Sequence, residues 1–219
     1  MAARQDYQIT AWCQRLMKEH VKEGSFCIDA TMGNGNDTEF LCHLAGPGGQ
    51  VLAFDIQEAA LAHTQDRLHQ AFPAECSLSS FDNNSDVCAA VSDLGAQHIR
   101  YQHYNYRLCL DSHANLQAYA KPDTADCIVF NLGYLPGGDH SIATAAQTTI
   151  SALEQSLQIL KKDGLLSICI YSGKDSGFDE RDAVLEWLKN LDPRKYLVLL
   201  TSYFNRPNNP PIPVAVIKL

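Results

Sequence analysis

The sequence predicts an α/β fold: a seven-stranded, mostly parallel sheet whose last strand is antiparallel, with helices on both faces. Two observations predict it. Short apolar runs alternate with segments of helical periodicity, the pattern of parallel strands joined by crossover helices. The last two apolar runs are separated by a turn too short for a crossover helix, so they should pair antiparallel. The 219 residues should form one domain, because this length suits a single sizeable core.

The first half of the chain alternates regularly between the two element types. Residues 1–24 predict an N-terminal helix, because apolar residues recur there at helical spacing. Strand, helix, strand and helix then follow in the segments SFCIDA, TEFLCHLA, GQVLAFDIQ and EAALAHTQDRLHQAF. Residues 73–103 mix turn formers with one weak helical stretch, which predicts an extended connection between this helix and the third strand.

The second half resumes the alternation. Three further strands are predicted in YRLCLDSH, ADCIVFNLGY and GLLSICIYSG. A long helix, TAAQTTISALEQSLQILKKDG, lies between the last two and should end at Gly164. The helix DERDAVLEWLKNL then precedes the final pair of strands, KYLVLLTSYF and VAVIKL, which the polar turn NRPNNPPIP connects.

Composition excludes several classes of protein. The apolar runs are too short to cross a bilayer, and the N-terminus lacks the apolar region of a secretory signal, so we expect a cytoplasmic protein without membrane partners. The eight cysteines include no C-x-x-C pair, which favours reduced core residues over disulfides or metal ligands. The net charge of −8 argues against coating nucleic acid through a global positive field, but allows a local basic patch.

An aspartate ends each of the first three predicted strands: Asp29, Asp55 and Asp111. Ligands of open α/β sheets bind beyond the carboxyl ends of the strands, so these carboxylates should border one site. Gly33 and Gly35 in the first turn would let the backbone approach a ligand, and Asp55 is well placed for ribose hydroxyls. A bare strand-to-helix turn with helix-capping aspartates is the alternative.

Two ligands suit such a site, a dinucleotide and S-adenosylmethionine. The dinucleotide fingerprint needs a third small residue, but Thr38 stands there, and Asp37 would bring a carboxylate close to the phosphates. S-adenosylmethionine has no phosphate and carries a sulfonium cation, so acidic residues near the loop are tolerated or helpful. We therefore predict S-adenosylmethionine as the cofactor.

The segment NLGY at the end of the fourth strand predicts the acceptor side of the site. Its N-x-x-Y spacing resembles the (N/D)-P-P-Y motif of amino-group methyltransferases, without the two prolines. The Asn131 side-chain oxygen and the Leu132 carbonyl could hold the hydrogens of an amine, and Tyr134 could stack on a base. A simple turn with Tyr134 at the core edge is the alternative. Candidate proton acceptors are Asp139, His140 and His113.

The chain also resembles the bacterial family of putative rRNA methylases, which are class I methyltransferases with a Rossmann-like fold. The likeness lies in DATMGNGNDTEFL, AFDIQ, LDSHANL, FNLGYLPGGDHSIAT, TTISALEQSLQILKKDGLLSICIY and NNPP. It implies methylation of the amine of 5-aminomethyl-2-thiouridine at the tRNA wobble position, giving 5-methylaminomethyl-2-thiouridine. Methylation of rRNA or of a small amine, and a non-catalytic nucleotide- or RNA-binding module, are the alternatives. We expect tRNA as partner and keep a homodimer open.

The resemblance implies roles for individual residues. It implies cofactor contacts at Asp29, Thr31, Gly33, Gly35, Asp55, Gln57, Asp111 and Ser112, and we also expect them at Asn34, Asp37 and Asn131. It implies acceptor handling around Asn131, Tyr134 and the Gly137–Gly138 loop, and we also expect acceptor contacts at Pro136, Asp139 and His140. A reversed last strand would place the final loop at the carboxyl ends of the strands, so Arg206, Asn208 and Asn209 are expected near the acceptor as well. The chain departs from the family at Lys174, where members usually carry a histidine, and in the extended connection, whose basic and aromatic residues could grip RNA or pack on the sheet.

Overall fold

The computed structural model describes residues 8–72, 99–103, 105–133, 146–172 and 177–219, and these form a sheet flanked by helices. The strands are β1 (Phe26–Asp29), β2 (Gln50–Asp55), β3 (Ile99–His103), β4 (Tyr106–Leu110), β5 (Ala125–Leu132), β6 (Leu160–Ile170), β7 (Tyr196–Leu200) and β8 (Ile212–Lys218). The helices are α1 (Ile9–His20), α2 (Asn36–Ala45), α3 (Glu58–Ala71), α4 (Ala146–Ile159), α5 (Phe178–Lys189) and the 3₁₀ helix His113–Ala118.

The order of the strands confirms the predicted fold class. Across the described sheet the order is β3-β4-β2-β1-β5-β6-β8-β7. Strands β4, β2, β1, β5 and β6 are parallel neighbours, whereas β8 runs antiparallel to both β6 and β7. These strands and β7 are the seven predicted ones, with the last of them reversed.

An eighth strand, β3, extends the sheet beyond the prediction. It pairs antiparallel with β4 at the edge of the sheet. It comes from the segment 73–103, in which we expected a connection without a strand, and residues 73–98 lie outside the described part of the chain. An edge strand needs no continuous apolar run, because it has a neighbour on one side only, which is why IRYQH carries no strong strand signal.

The helix before β6 is shorter than predicted. It ends at Ile159, five residues before Gly164. Leu160 is fully buried and already pairs with Ala125 of β5. Asp163 then has a φ of 62°, in the left-handed region, which an α-helix cannot accommodate. Burial of Leu160 in the sheet therefore ends the helix before the glycine does.

The sheet is buried on both faces. The 3₁₀ helix, α4 and α5 cover one face, with Phe54 and Phe130 in that core layer. Helices α1, α2 and α3 cover the other, with Met17 and Leu41 in the second layer. All four residues of β1 are buried, as expected for a central strand covered on both sides. The six cysteines in the described regions are buried and free of disulfides.

The described residues form neither a membrane-spanning helix nor a metal-binding cluster. None of the helices there has the length and apolarity that crossing a membrane requires. The same residues contain no cluster of three or more histidine, cysteine, aspartate or glutamate side chains arranged to hold a metal ion.

Candidate functional site

Four neighbouring parallel strands end in polar side chains at one edge of the sheet. Strands β4, β2, β1 and β5 lie side by side and run in the same direction. The chain winds from β1 through β2 to β4 on one side, and from β5 to β6 on the other, so the winding reverses between β1 and β5. The residues at these strand ends, or within one residue of them, are Asp111, Asp55, Asp29 and Asn131. This reversal point is where open α/β sheets bind ligands.

Asp29 is buried and accepts hydrogen bonds from the loop that follows β1 and from α2. Its side chain is 1% exposed, its Oδ1 accepts from the Thr31 N–H at 3.2 Å, and its Oδ2 accepts from Thr38 Oγ1 at 2.7 Å. Burial, together with the nearby charge of Asp37, raises its pKa to about 7 from 3.8, although the hydrogen bond from Thr38 lowers it. Asp29 therefore fixes the loop that follows β1, with little surface of its own.

The turn between β1 and α2 depends on its two glycines. Gly33 and Gly35 have φ values of 49° and 75°, in the left-handed region. A Cβ on Gly35 would lie 2.9 Å from both the Cα and Oγ1 of Thr64 on α3. Only glycine therefore fits at position 35 without strain.

Helix α3 holds this turn in place, which sequence reasoning did not predict. Thr64 Oγ1 donates to the Gly33 carbonyl at 3.1 Å, and Arg67 Nε donates to the Asn34 carbonyl at 2.7 Å. His63 Nδ1 lies 3.0 Å from the side-chain oxygen of Asn34. Asn34 therefore turns its side chain towards α3. Neither the spacing nor the type of these α3 residues marks them in the sequence.

Asp55 connects the glycine turn to the start of α3. Its Oδ2 accepts from the Gly33 N–H at 3.1 Å, and its Oδ1 accepts from the Gln57 N–H at 3.0 Å. Burial raises its pKa above the ordinary value, against the effect of these backbone hydrogen bonds. The neighbouring Ile56 is 59% exposed and offers apolar surface at the same edge, a feature that the sequence analysis missed.

The 3₁₀ helix fixes Asp111 and Ser112. Asp111 Oδ2 accepts from the Tyr119 hydroxyl at 2.6 Å, and its Oδ1 accepts from Asn115 Nδ2 at 2.9 Å. Burial and the carboxylate of Asp111 raise the pKa of Tyr119. Ser112 Oγ accepts from the Ala114 N–H at 3.2 Å and so caps the helix. Both predicted residues therefore lie at the expected edge in a rigid turn.

His113 packs against β5 near the carboxyl ends of the central strands. Its ring packs edge-on to Phe130, with ring centroids 5.7 Å apart, and burial lowers its pKa. The imidazole is therefore neutral at neutral pH. Its buried Nε2 has no hydrogen-bond partner among the described residues.

Asn131 is fixed by residues from the β1–α2 region. Its N–H donates to Thr31 Oγ1 at 2.7 Å, and its Nδ2 donates to Asp37 Oδ2 at 2.9 Å. Gln14 Nε2, on α1, donates to the other oxygen of Asp37 at 3.4 Å. Gln14 was not among the predicted site residues. The structure thus brings Asp37 to the acceptor side of the site rather than only beside the glycine turn.

The backbone at Gly133 explains one of the two missing prolines. The Leu132 side chain is fully buried, and its carbonyl accepts from the Tyr171 N–H at 3.0 Å. Gly133 has a φ of 146°, and a Cβ there would lie 3.2 Å from Tyr171 Cβ. Proline fixes φ near about −65°, so it cannot occupy position 133 in this backbone.

The remaining predicted acceptor residues divide into two groups. Tyr134, Pro136, Gly137, Gly138, Asp139 and His140, and also Lys174, lie outside the described residues. Arg206, Asn208 and Asn209 belong to the exposed β7–β8 connection. Because β8 begins opposite the end of β6, with Ile212 paired to Ile170, this connection lies at the carboxyl edge as predicted. Its contact with an acceptor stays a prediction.

Proteins of known structure resemble this chain in both sequence and fold. A crystal structure of a putative rRNA-methylase from Clostridium thermocellum is 36% identical, with a TM-score of 0.80 over 97% of this chain and 98% of that one. A putative methyltransferase from Streptococcus mutans, solved in complex with SAH, is 34% identical, with a TM-score of 0.74 over 96% and 97% of the two chains.

The chain is also similar in sequence to a plant methyltransferase and to a family of putative rRNA methylases. The tRNA (mnm(5)s(2)U34)-methyltransferase of Arabidopsis thaliana, a chloroplastic protein, is 32% identical over 197 residues; these are 87% of this chain and 62% of the plant protein. The family described as "Putative rRNA methylase" matches residues 51–217, which include the strand ends at Asp55, Asp111 and Asn131. The chain belongs to this family of methylases.

Proposed function

We propose that the protein transfers a methyl group from S-adenosylmethionine to the amine of 5-aminomethyl-2-thiouridine at the wobble position of tRNA. The product is 5-methylaminomethyl-2-thiouridine. The observation that carries the proposal is the row of polar strand ends at the winding reversal, with an asparagine amide on the acceptor side. Membership of a methylase family supports methyl transfer, and the plant relative supports this tRNA base.

The residues present fit S-adenosylmethionine. Asp37 and Asp55 lie around the first turn, where carboxylates would repel a pyrophosphate but suit a ligand with a sulfonium and an ammonium group. Asp55 would accept hydrogen bonds from ribose hydroxyls, and the exposed Ile56 beside it would pack on a flat purine. The complex of the Streptococcus mutans relative with SAH supports the same cofactor for this chain.

The protein's own contribution to the chemistry would be alignment. Bound S-adenosylmethionine would supply an electrophilic methyl group: the N–C bond would form as the C–S bond breaks, S-adenosylhomocysteine would leave, and the proton lost by the amine would pass to solvent. Asn131 Oδ1 would accept a hydrogen bond from the amine and so direct its lone pair towards the methyl carbon. Tyr134, three residues further on, keeps its predicted role of stacking on the base.

We propose a smaller role for the Leu132 carbonyl than for the Asn131 side chain. One lone pair of this carbonyl already accepts from the Tyr171 N–H. The second lone pair could still accept from the amine. The Asn131 side chain is therefore the main group proposed to hold the acceptor.

Methyl incorporation into two forms of one tRNA tests the proposal. The first form carries the aminomethyl group and the second lacks it. We expect labelling of the first form only. Equal labelling of both, or labelling of rRNA instead, would contradict the proposed substrate.

Replacing Asn131 tests whether its side chain aligns the acceptor amine. Asn131→Ala should lose about ten-fold or more in kcat while still binding S-adenosylmethionine, because it removes the group that aligns the amine. Asn190→Ala, at the exposed end of α5, is the matched control and should keep native activity. A non-catalytic binding module would give no labelling with any of these proteins.

A further inference from the structure

A carboxylate on α2 holds the side chain of the asparagine proposed to bind the acceptor. Asp37 Oδ2 accepts from Asn131 Nδ2 at 2.9 Å, although the two residues are 94 positions apart in the chain. The Asn131 N–H donates to Thr31 Oγ1 at 2.7 Å. The main chain and the side chain of Asn131 are thus both fixed by the segment that follows β1, before any substrate binds.

The chemistry of this contact decides which end of the Asn131 amide faces outward. A carboxylate only accepts hydrogen bonds, so the amide must turn its NH₂ group towards Asp37. Its Oδ1 is then directed away from Asp37, and it has no hydrogen-bond partner within the described regions. An acceptor amine offers N–H groups and needs an oxygen to receive them. The opposite orientation would present two donors to an amine.

Gln14 completes the arrangement from a third element. Its Nε2 donates to Asp37 Oδ1 at 3.4 Å, so each oxygen of the carboxylate has a donor. Helix α1, which lies outside the alternating strand–helix pattern, thereby reaches the acceptor side of the site.

We propose that Asp37 is a positioning residue for methyl transfer, an inference that rests on the proposed function. It holds the Asn131 amide with its carbonyl oxygen towards the acceptor amine, and Gln14 steadies the carboxylate. Asp37 acts through Asn131 and needs no contact of its own with the amine.

Exchanging the two residues tests this role. Asn131→Asp would place two carboxylates in hydrogen-bond contact, and their repulsion would displace the oxygen that faces the amine. Adding Asp37→Asn restores a donor–acceptor pair with its roles reversed. At saturating S-adenosylmethionine we expect kcat of N131D/D37N to exceed that of N131D by about ten-fold or more.

A charge-matched variant is the control. N131D/D66N has the same net charge as N131D/D37N, but Asp66 is exposed on α3 and has no part in the proposed site. It should be as inactive as N131D. Equal rescue by D66N, or no rescue by D37N, would overturn the positioning role.

Stability supplies a readout that needs no substrate. The unfolding free energy is measured for the native protein, for both single variants and for N131D/D37N. Asn131→Asp should lower stability, and Asp37→Asn should be less harmful in its presence than in the native protein. If the native protein methylates no tRNA, the proposed function fails. If it does, but the exchange does not restore kcat, only the positioning role fails.

Discussion

Replacing Asp29 by asparagine should change how stability depends on pH. The native side chain is 1% exposed, and burial raises its pKa to about 7 from 3.8. The folded protein thus holds this proton more tightly than the unfolded chain. The contribution of the protonated carboxyl to folding is therefore complete at low pH and is lost as pH rises from the unfolded pKa to the folded pKa. The asparagine variant has no such titration.

The expected size of the effect follows from the two pKa values. At pH 5.5 the unfolded carboxyl is ionised, whereas the folded one stays protonated until about pH 7. One pH unit corresponds to about 1.4 kcal/mol of differential proton binding. Between about pH 5.5 and 8, the native protein should lose about 2 kcal/mol of unfolding free energy relative to Asp29→Asn.

Urea unfolding of both proteins at several pH values measures this difference, provided that the m-value stays constant. Asp66→Asn, which removes an exposed carboxylate, is the matched control and should follow the native curve. Thr38→Val removes the hydrogen bond that lowers the pKa of Asp29, so it should move the loss of stability to higher pH. Parallel curves for the native protein and Asp29→Asn would refute a raised pKa at this position.

Two further substitutions test the supports of the site. Gly35→Ala should lower the unfolding free energy by about 2–4 kcal/mol, because it combines a left-handed φ with overpacking against Thr64. Gly48→Ala is the control: its Cβ would meet only ordinary contacts, so thermal melts should find it nearly neutral. Tyr119→Phe removes the hydroxyl that donates to Asp111 at 2.6 Å, so chemical denaturation should detect a loss of about 1–3 kcal/mol in unfolding free energy. Calorimetry should show a weaker affinity for S-adenosylmethionine, and an unchanged affinity would show that Asp111 needs no such support.

The position of the site could be predicted because it depends on strand ends. Apolar runs locate β1, β2 and β4 in the sequence, and parallel strands bring their carboxyl ends to one edge of a sheet. Asp29, Asp55 and Asp111 consequently lie where the pattern indicated. The same logic located the β7–β8 connection, since a reversed last strand returns the chain from that edge.

The structural role of each side chain could not be predicted in the same way. Nothing in the sequence distinguishes the buried Asp29, which fixes a loop, from the partly exposed Asp55. The hydrogen bond between Asp37 and Asn131 links α2 to β5, and the supports from Gln14 and Thr64 come from α1 and α3. Such contacts depend on how helices pack on the sheet, which residue spacing within one element does not determine.

Two elements were misjudged for a related reason. The strand β3 lies at an edge, where pairing on one side replaces a continuous apolar signal. Helix α4 ends at Ile159 because Leu160 is buried in the sheet, although the helical pattern continues towards Gly164. Tertiary packing overrides local preference in both places.

Analysis of tRNA nucleosides by mass spectrometry, in a strain that lacks the protein, tests the central claim most directly. The account predicts that 5-aminomethyl-2-thiouridine accumulates and that its methylated form disappears. Complementation with the native chain should restore the methylated nucleoside, whereas Asn131→Ala should not. An unchanged level of 5-methylaminomethyl-2-thiouridine in the strain without the protein would contradict the account.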